Sequence, residues 1–182
     1  MSIDIKVRSA LSADIIALVG LDHTCESNYV WQLDLRKEDG EVSIALREVR
    51  LPRSVRVRYP RDHFSLADEW KKNSRTFVAV SEGMPLGYIR FLEQGTAESI
   101  WVLDLVVLTE ARKKGVAARL IQFVEHWALE RKYSQLFIEM SSKNHPAISF
   151  AKKMGFEFSG YNEHYYATKD VALFFGKLLK EF

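Results

Sequence analysis

From Trp101 to Trp127 the chain reads WVLDLVVLTEARKKGVAARLIQFVEHW, and the spacing of its apolar positions changes once along the way. Val102 to Leu108 is an almost unbroken apolar run, rich in branched residues and interrupted only by Asp104. A run that short predicts an interior strand covered on both faces. Thr109-Glu110-Ala111 is a polar turn. Past Arg112-Lys113-Lys114-Gly115, apolar residues recur at Val116, Leu120, Phe123, Val124 and Trp127, the spacing of one helical face.

The same reading applied in order gives a short alternating strand over 3–8 and a helix from Ala13 to Leu21, with Ser12 as its cap and Asp14 in its first turn. Tyr29–Leu35 and Val42–Leu51 are strand-like and joined by a polar turn ending in Asp39-Gly40, which predicts an antiparallel hairpin. A helix is expected over Phe64–Asn73, then strands at Arg75–Ser81 and Leu86–Leu92, with turns at Gly83-Met84-Pro85 and Gln94-Gly95-Thr96. Ser134–Met140 alternates as a strand. Two strands joined through a helix of this length imply a parallel pair. Asn144 and Pro146 mark the start of a further helix and Gly155 its end. Phe156–Ala167 and Val171–Leu179 read as the last two strands.

The strand–turn–helix unit has a physical use. The first turn of a helix carries backbone N–H groups without intrahelical partners and partial positive charge from aligned peptide dipoles. Gly115 has no Cβ to keep a ligand from the backbone, and Ala117 is nearly as small. Arg112, Lys113 and Lys114 add charge. Together they suit a pyrophosphate. The chain contains neither GxxxxGK[ST] nor GxGxxG, which argues against a nucleoside triphosphatase and a dinucleotide fold.

Arg112-x-x-Gly115-x-Ala117 does fit [Q/R]-x-x-G-x-[G/A]. Placed between a buried strand and an amphipathic helix, it resembles the acetyl-CoA pyrophosphate loop of the GNAT superfamily of N-acetyltransferases. A second stretch, Asn144-x-x-Ala147-x-x-Phe150-x-x-x-Met154-Gly155-Phe156, resembles that family's N-x-x-A-x-x-[LF]-[Y]-x-x-x-G-F. The early hairpin with its Arg- and Pro-bearing tail, and the ending around Gly160-Tyr161-Asn162, resemble streptothricin acetyltransferases loosely.

The resemblance implies an α+β fold in one domain, 1–182. Its central twisted sheet would hold six to seven mostly antiparallel strands, splayed between the strand at 100–108 and that at 134–140, with helices on both faces. It implies acetyl-CoA as cosubstrate and direct transfer to a primary amine of a small molecule, of an antibiotic or metabolite kind, with no acyl-enzyme. Cys25 then has no need to be a nucleophile. Backbone groups of Leu105, Val106 and Val107 would meet the pantetheine arm and the thioester carbonyl. Arg112, Lys113, Lys114, Gly115, Val116 and Ala117 would hold the diphosphate, and Asn144, Ala147 and Phe150 would flank the arm. No metal is expected. The alternatives are a protein N-terminal or lysine acetyltransferase, marked by an open acceptor groove rather than a closed pocket, and a CoA-binding module without catalysis.

Asp104 is the candidate base, because an unpaired carboxylate in an apolar strand is costly and burial would raise its pKa; the alternative is a structural carboxylate bonded to backbone or an Arg. Glu139 is weaker, since it could face solvent. Ala151 stands where relatives carry the Tyr that protonates the leaving thiolate. Tyr161, His164, Tyr165 and Tyr166 are read on the following strand, and Tyr165 is the candidate acid. His145 faces the arm or solvent.

Bulk properties add limits. The net charge of +2 does not demand nucleic acid or a membrane, although Arg47, Arg50, Arg53, Arg56, Arg58 and Arg61 make a dense basic stretch, read as a solvated face. The single cysteine excludes an intrachain disulfide and suits a reducing cytoplasm. No secretory signal and no bilayer-spanning run is seen. A homodimer is expected from the resemblance alone.

Overall fold

In chain order the structure, a computed structural model describing residues 4–72, 74–94 and 98–179, contains β1 (Lys6–Ser9), α1 (Ser12–Val19), β2 (Cys25–Glu38), β3 (Glu41–Val57), α2 (Leu66–Glu69), β4 (Arg75–Ser81) and β5 (Met84–Gln94). Then come β6 (Ser99–Val107), α3 (Val116–Glu130), β7 (Gln135–Ser141), α4 (His145–Lys153), β8 (Glu157–Asn162) and β9 (Ala172–Leu178). Seven strands form one sheet in the order β1-β4-β5-β6-β7-β9-β8. Among the described residues only β6 and β7 run parallel, as the intervening helix requires; every other pairing in this sheet is antiparallel. No helix among the described residues is long and apolar enough to cross a membrane.

The two faces of the sheet are covered by different helices. Val116, Leu120, Ile121 and Val124 of α3 pack with Ile89, Phe91, Ile100 and Val102. Full burial of each aliphatic side chain contributes about 1.5–3 kcal/mol. On the opposite face Leu18 of α1 and Leu66 of α2 cover Val78, Tyr88 and Val106.

A bulge decides which face Asp104 meets. Arg90 pairs with Asp104 while the next residue, Phe91, pairs with Val102, so Leu103 is an extra residue in β6. Val102 therefore packs toward α3, and Asp104, two positions on, shares the α1–α2 face with Val106.

Several boundaries differ from the pattern-based ones. α1 starts at Ser12, with Leu11 rather than Ser12 in the capping position. The cap is supplied from within: Asp14 Oδ2 accepts from Leu11 N (2.7 Å) and is held by Arg8 (2.6 Å). The expected helix over 64–73 shrinks to a 3₁₀ turn at His63–Ser65 and the single turn of α2, because the Asp62 carboxylate accepts from Phe64 N (3.0 Å) and winds the chain tightly there. Phe64 points outward, 65% exposed. Of the turn expected at Gln94-Gly95-Thr96, Gln94 ends β5, while Gly95 and Thr96 lie outside the described residues, as does Asn73.

The hairpin is longer than its alternation suggested and forms a separate two-stranded sheet around Asp39-Gly40. Gly40 has φ 79°, a left-handed value that favours glycine there. Pro52, which lacks an N–H, sits where the register jumps from Tyr29–Arg50 to Ser27–Val55. Trp31 N donates to Ser142 O (2.8 Å), which fixes the hairpin beside α4. The aromatic strand expected over 156–167 stops at Asn162, whose side chain accepts from His164 N (2.8 Å) and turns the chain. β9 returns between β7 and β8, so His164, Tyr165 and Tyr166 lie in the connection, not on a strand.

Candidate active site

β6 stays paired with β5 as far as Val107, opposite Gly87, but its ladder with β7 ends at Val102–Ile138. The two parallel strands diverge beyond that point. Gly87 is needed for the closeness of the first pairing: a Cβ there would sit 2.5 Å from Val106 O. Leu108 N donates to Leu86 O (2.8 Å). By the alternation of an extended chain, Leu105 and Val107 then turn their N–H groups the other way, into the gap. Val106 faces β5 and buries its side chain on the α1–α2 face.

At the end of β6 the chain makes one 3₁₀ turn, Thr109–Ala111, before α3. Lys113 (φ 61°) and Gly115 (φ 88°) are both left-handed, and Gly115 is the residue capping α3. A Cβ at Gly115 would meet nothing within 4 Å. The mouth of α3 is therefore open, and glycine is favoured there by backbone conformation as well as by access. Lys113 and Lys114 are exposed, Ala117 is half-buried, and Val116 is buried in the core, leaving its N–H for the mouth.

Arg112 behaves differently from its two lysine neighbours. Its guanidinium donates to Val107 O (3.0 Å), Thr24 O (3.0 Å) and Asp22 O (2.5 Å). The charge read as a diphosphate contact is thus engaged by three carbonyls.

Across the gap, Asn144 caps α4: its Oδ1 accepts from Ala147 N (3.1 Å) and from the Cys25 thiol (3.3 Å). Burial pushes that thiol up from its ordinary pKa. Ala147 and Phe150 lie half-buried on α4 against the main core. His145 is half-buried, 3.7 Å from Glu48 of the hairpin.

The α1–α2 face beside the gap carries a polar cluster. Asp104 is 3% exposed, yet it is not unpartnered as its apolar context suggested. Arg90 Nε donates to it (2.5 Å), the Tyr59 hydroxyl donates to its other oxygen, and Arg61 Nη1 lies at 3.7 Å. Arg90 also reaches Glu69 (3.0 Å). The premise of an uncompensated charge therefore fails, since two cations and a phenol face the carboxylate.

Glu139, which the pattern left open between the site and solvent, is buried, 6% exposed. It accepts from Trp101 Nε1 (2.5 Å) and Tyr165 Oη (2.6 Å), and it pairs with Arg61. Arg61 also donates to Leu103 O (2.7 Å), so one guanidinium ties Asp104 and the β6 bulge to Glu139 on β7. Of the basic stretch, this residue does not belong to a solvated face.

Tyr165 is 41% exposed with its hydroxyl on Glu139. Tyr166 is buried beneath Arg61, and Tyr88 is buried against His23 Nε2 (3.0 Å). Burial pushes the phenols of Tyr59, Tyr88 and Tyr166 above their ordinary range, so each stays protonated. Burial also lowers His23, whose Nδ1 meets Leu21 O (2.7 Å). That bond makes Nδ1 the protonated nitrogen of a neutral ring and Nε2 the acceptor from Tyr88. Tyr161 remains on β8, packed against the main core, away from the role considered for it.

Pattern reading missed Tyr59, Arg61, Arg90 and His23. Arg90 carried one usable signal, a lone cation in an otherwise apolar strand, matching Asp104 in the next.

A splayed parallel pair in a mixed sheet, with an open helix mouth at its wide end, is the arrangement that the resemblance to N-acetyltransferases implies. The profile of the acetyltransferase (GNAT) family matches residues 44–156, and the chain belongs to that family. It is therefore an N-acetyltransferase that uses acetyl-CoA. It is 31% identical over 167 residues to streptothricin acetyltransferase of Streptomyces lavendulae, covering 88% of this chain and 86% of that one. Nourseothricin acetyltransferase superposes with a TM-score of 0.81 at 25% identity, over 97% of this chain and 99% of the other. A Bacillus anthracis protein in complex with acetyl coenzyme A superposes at 0.76 with 21% identity, over 97% and 99%, a likeness of fold.

Proposed function

We propose that this chain acetylates a primary amine of a small molecule, of the streptothricin kind that its relatives are named for. The observation that carries the reading is the open, left-handed glycine mouth of α3, flanked by two exposed lysines at the wide end of the β6–β7 gap. The 31% identity along most of the chain, hairpin included, supports the choice of acceptor.

In this reading the N–H groups of Gly115, Val116 and Ala117, with Lys113 and Lys114, hold the diphosphate. The pantetheine arm adds to β6 as a strand, meeting Leu105 and Val107 and passing Asn144, Ala147 and Phe150. An N–H of β6 polarises the thioester carbonyl. The neutral amine attacks the carbonyl carbon, the C–S bond breaks, and coenzyme A leaves as the thiolate. Asp104 takes the amine's proton, exchanging the Tyr59 hydrogen bond for it, and returns that proton to solvent once the product leaves. Tyr165, leaving Glu139, supplies a proton to the thiolate and recovers one from solvent. A cytoplasmic location, which the single cysteine suits, and a homodimer belong to the same reading.

The test is thiol release from acetyl-CoA across a panel of cationic antibiotics, diamines, and peptides with free N-termini or lysines. Turnover confined to small amines is expected. Turnover confined to peptides overturns the acceptor class, and acetyl-CoA binding without turnover on any amine leaves a binding module. Dimerisation is read separately by light scattering.

A further inference from the structure

Arg112 opens the phosphate-loop pattern, yet its three nitrogens donate to the carbonyls of Val107, Thr24 and Asp22. The last two lie about 90 positions away in sequence, in the segment between α1 and β2. That segment does not end at Arg112. Its Cys25 thiol reaches Asn144 Oδ1 (3.3 Å) at the start of α4, beyond β7. Residues 22–25 therefore cross from the β6 side of the gap to the β7 side. Midway, His23 hydrogen-bonds Tyr88, lies edge-on to Tyr59 (5.1 Å between centroids) and stacks on His63 (4.7 Å). Tyr59 is the residue bonded to Asp104.

From this geometry, and resting on the functional reading above, we infer that Arg112 is a positioning residue for the acceptor side. It fastens the 22–25 crossing over the gap and sets His23 against Tyr59, and it is not a ligand of the diphosphate. The segment has other ties: Arg56 Nε donates to Thr24 Oγ1 (3.0 Å), and the Asp22 carboxylate accepts from Thr24 N (2.9 Å). Loss of Arg112 should loosen the crossing without unfolding the chain. The planar five-donor fork suits three diverging carbonyls, and a lysine ammonium on a flexible stem does not. Lysine would serve equally as a point charge for a phosphate. The conservative variant thus separates the two roles.

The experiment compares wild type, Arg112→Lys and Arg112→Ala, after thermal melts confirm that each folds. Three quantities are read: acetyl-CoA affinity by calorimetry, the rate at which a thiol reagent modifies Cys25 in the acetyl-CoA-saturated protein, and KM against kcat for an active amine. Cys25 is the chain's one cysteine, so labelling reports on the crossing alone. Both variants should bind acetyl-CoA within about threefold of wild type, and both should label about tenfold faster and show an amine KM about tenfold higher, as expected for losing charge-assisted hydrogen bonds. The inference is overturned if Arg112→Ala loses acetyl-CoA affinity, Arg112→Lys restores it, and Cys25 labelling is unmoved. A wild-type chain that does not bind acetyl-CoA at all overturns the functional reading itself, a result visible before any variant is compared.

Discussion

The two sides of the β6–β7 gap are built from different materials. The side that the proposed function gives to the cofactor is made of backbone: a glycine in a left-handed conformation, the first N–H groups of α3, and the unladdered edge of β6. The side that it gives to the acceptor is made of side chains from distant segments: Tyr59 on Asp104, Arg61 on Glu139, His23 on Tyr88. A backbone site tolerates changes that keep the main chain in place and fails when a side chain fills it. A side-chain cluster fails when one partner is removed, because the group left behind is buried without its counter-charge. Substitutions on the two sides should therefore separate cofactor affinity from turnover.

The largest effect is expected at Gly115. Gly115→Glu places both bulk and negative charge where the diphosphate would lie, and acetyl-CoA binding measured by calorimetry should weaken at least about a thousandfold, over 4 kcal/mol. Gly115→Ala is the control, since a methyl there meets nothing within 4 Å. Its φ of 88° costs on the order of 1 kcal/mol of strain, so stability drops slightly while binding stays within about tenfold. Equal loss in both variants would mean that Gly115 serves conformation alone.

On the other side, Asp104→Asn should lower kcat about a hundredfold at neutral pH, in the range of lost acid–base catalysis, with acetyl-CoA affinity unchanged. It also leaves Arg90 without its main anion, so the melting temperature should fall. If the melt falls and kcat does not, the carboxylate is structural. Glu139→Gln should act more mildly. Gln retains an acceptor for Trp101 and Tyr165 but loses the pairing with Arg61, and kcat/KM for the amine should fall about tenfold, the scale of one hydrogen bond to a charged group. An unchanged kcat/KM would remove Glu139 from the acceptor wall.

The contrast also explains what could be read from sequence. The strand–turn–helix unit was legible because its signals are local: a branched run, a turn, a glycine, then helical spacing, all within Trp101–Trp127. The antiparallel strands and the parallel crossover follow from the same periodicities. The side-chain cluster was not legible, because its partners are far apart: Tyr59 and Asp104 are 45 positions apart and Arg112 and Asp22 are 90. Arg61 looked like one more solvated arginine, and Glu139 could equally have faced solvent, until tertiary pairing placed them together. The bulge at Leu103 is similarly silent in sequence, although it chooses the face on which Asp104 lies. Asn162 ended the aromatic strand through a side-chain bond that β propensity does not register.

The smallest expected effect tests whether His23 belongs to this buried cluster through stability rather than rate. Burial lowers its pKa in the folded chain, so the folded protein resists a proton that the unfolded chain accepts near pH 6.5. Between those two values the unfolded state binds more protons, and unfolding free energy falls as pH falls. Above the ordinary histidine range both forms are neutral and the contribution is flat. A single proton gives a slope of at most about 1.4 kcal/mol per pH unit. Asp14, held low by its Arg8 hydrogen bond, and Asp22, held low by Thr24, titrate at more acid pH and stay outside this window. Urea unfolding at pH 7, 6 and 5 should therefore show wild type losing stability more steeply than His23→Gln, which has no proton to gain. The subtraction removes the histidines that do not touch His23, which both proteins share; His63, stacked on it, is replaced by Gln in both backgrounds. Parallel slopes would mean that the His23 ring reaches solvent when protonated, and that the contacts to Tyr88 and Leu21 do not hold it in the wall.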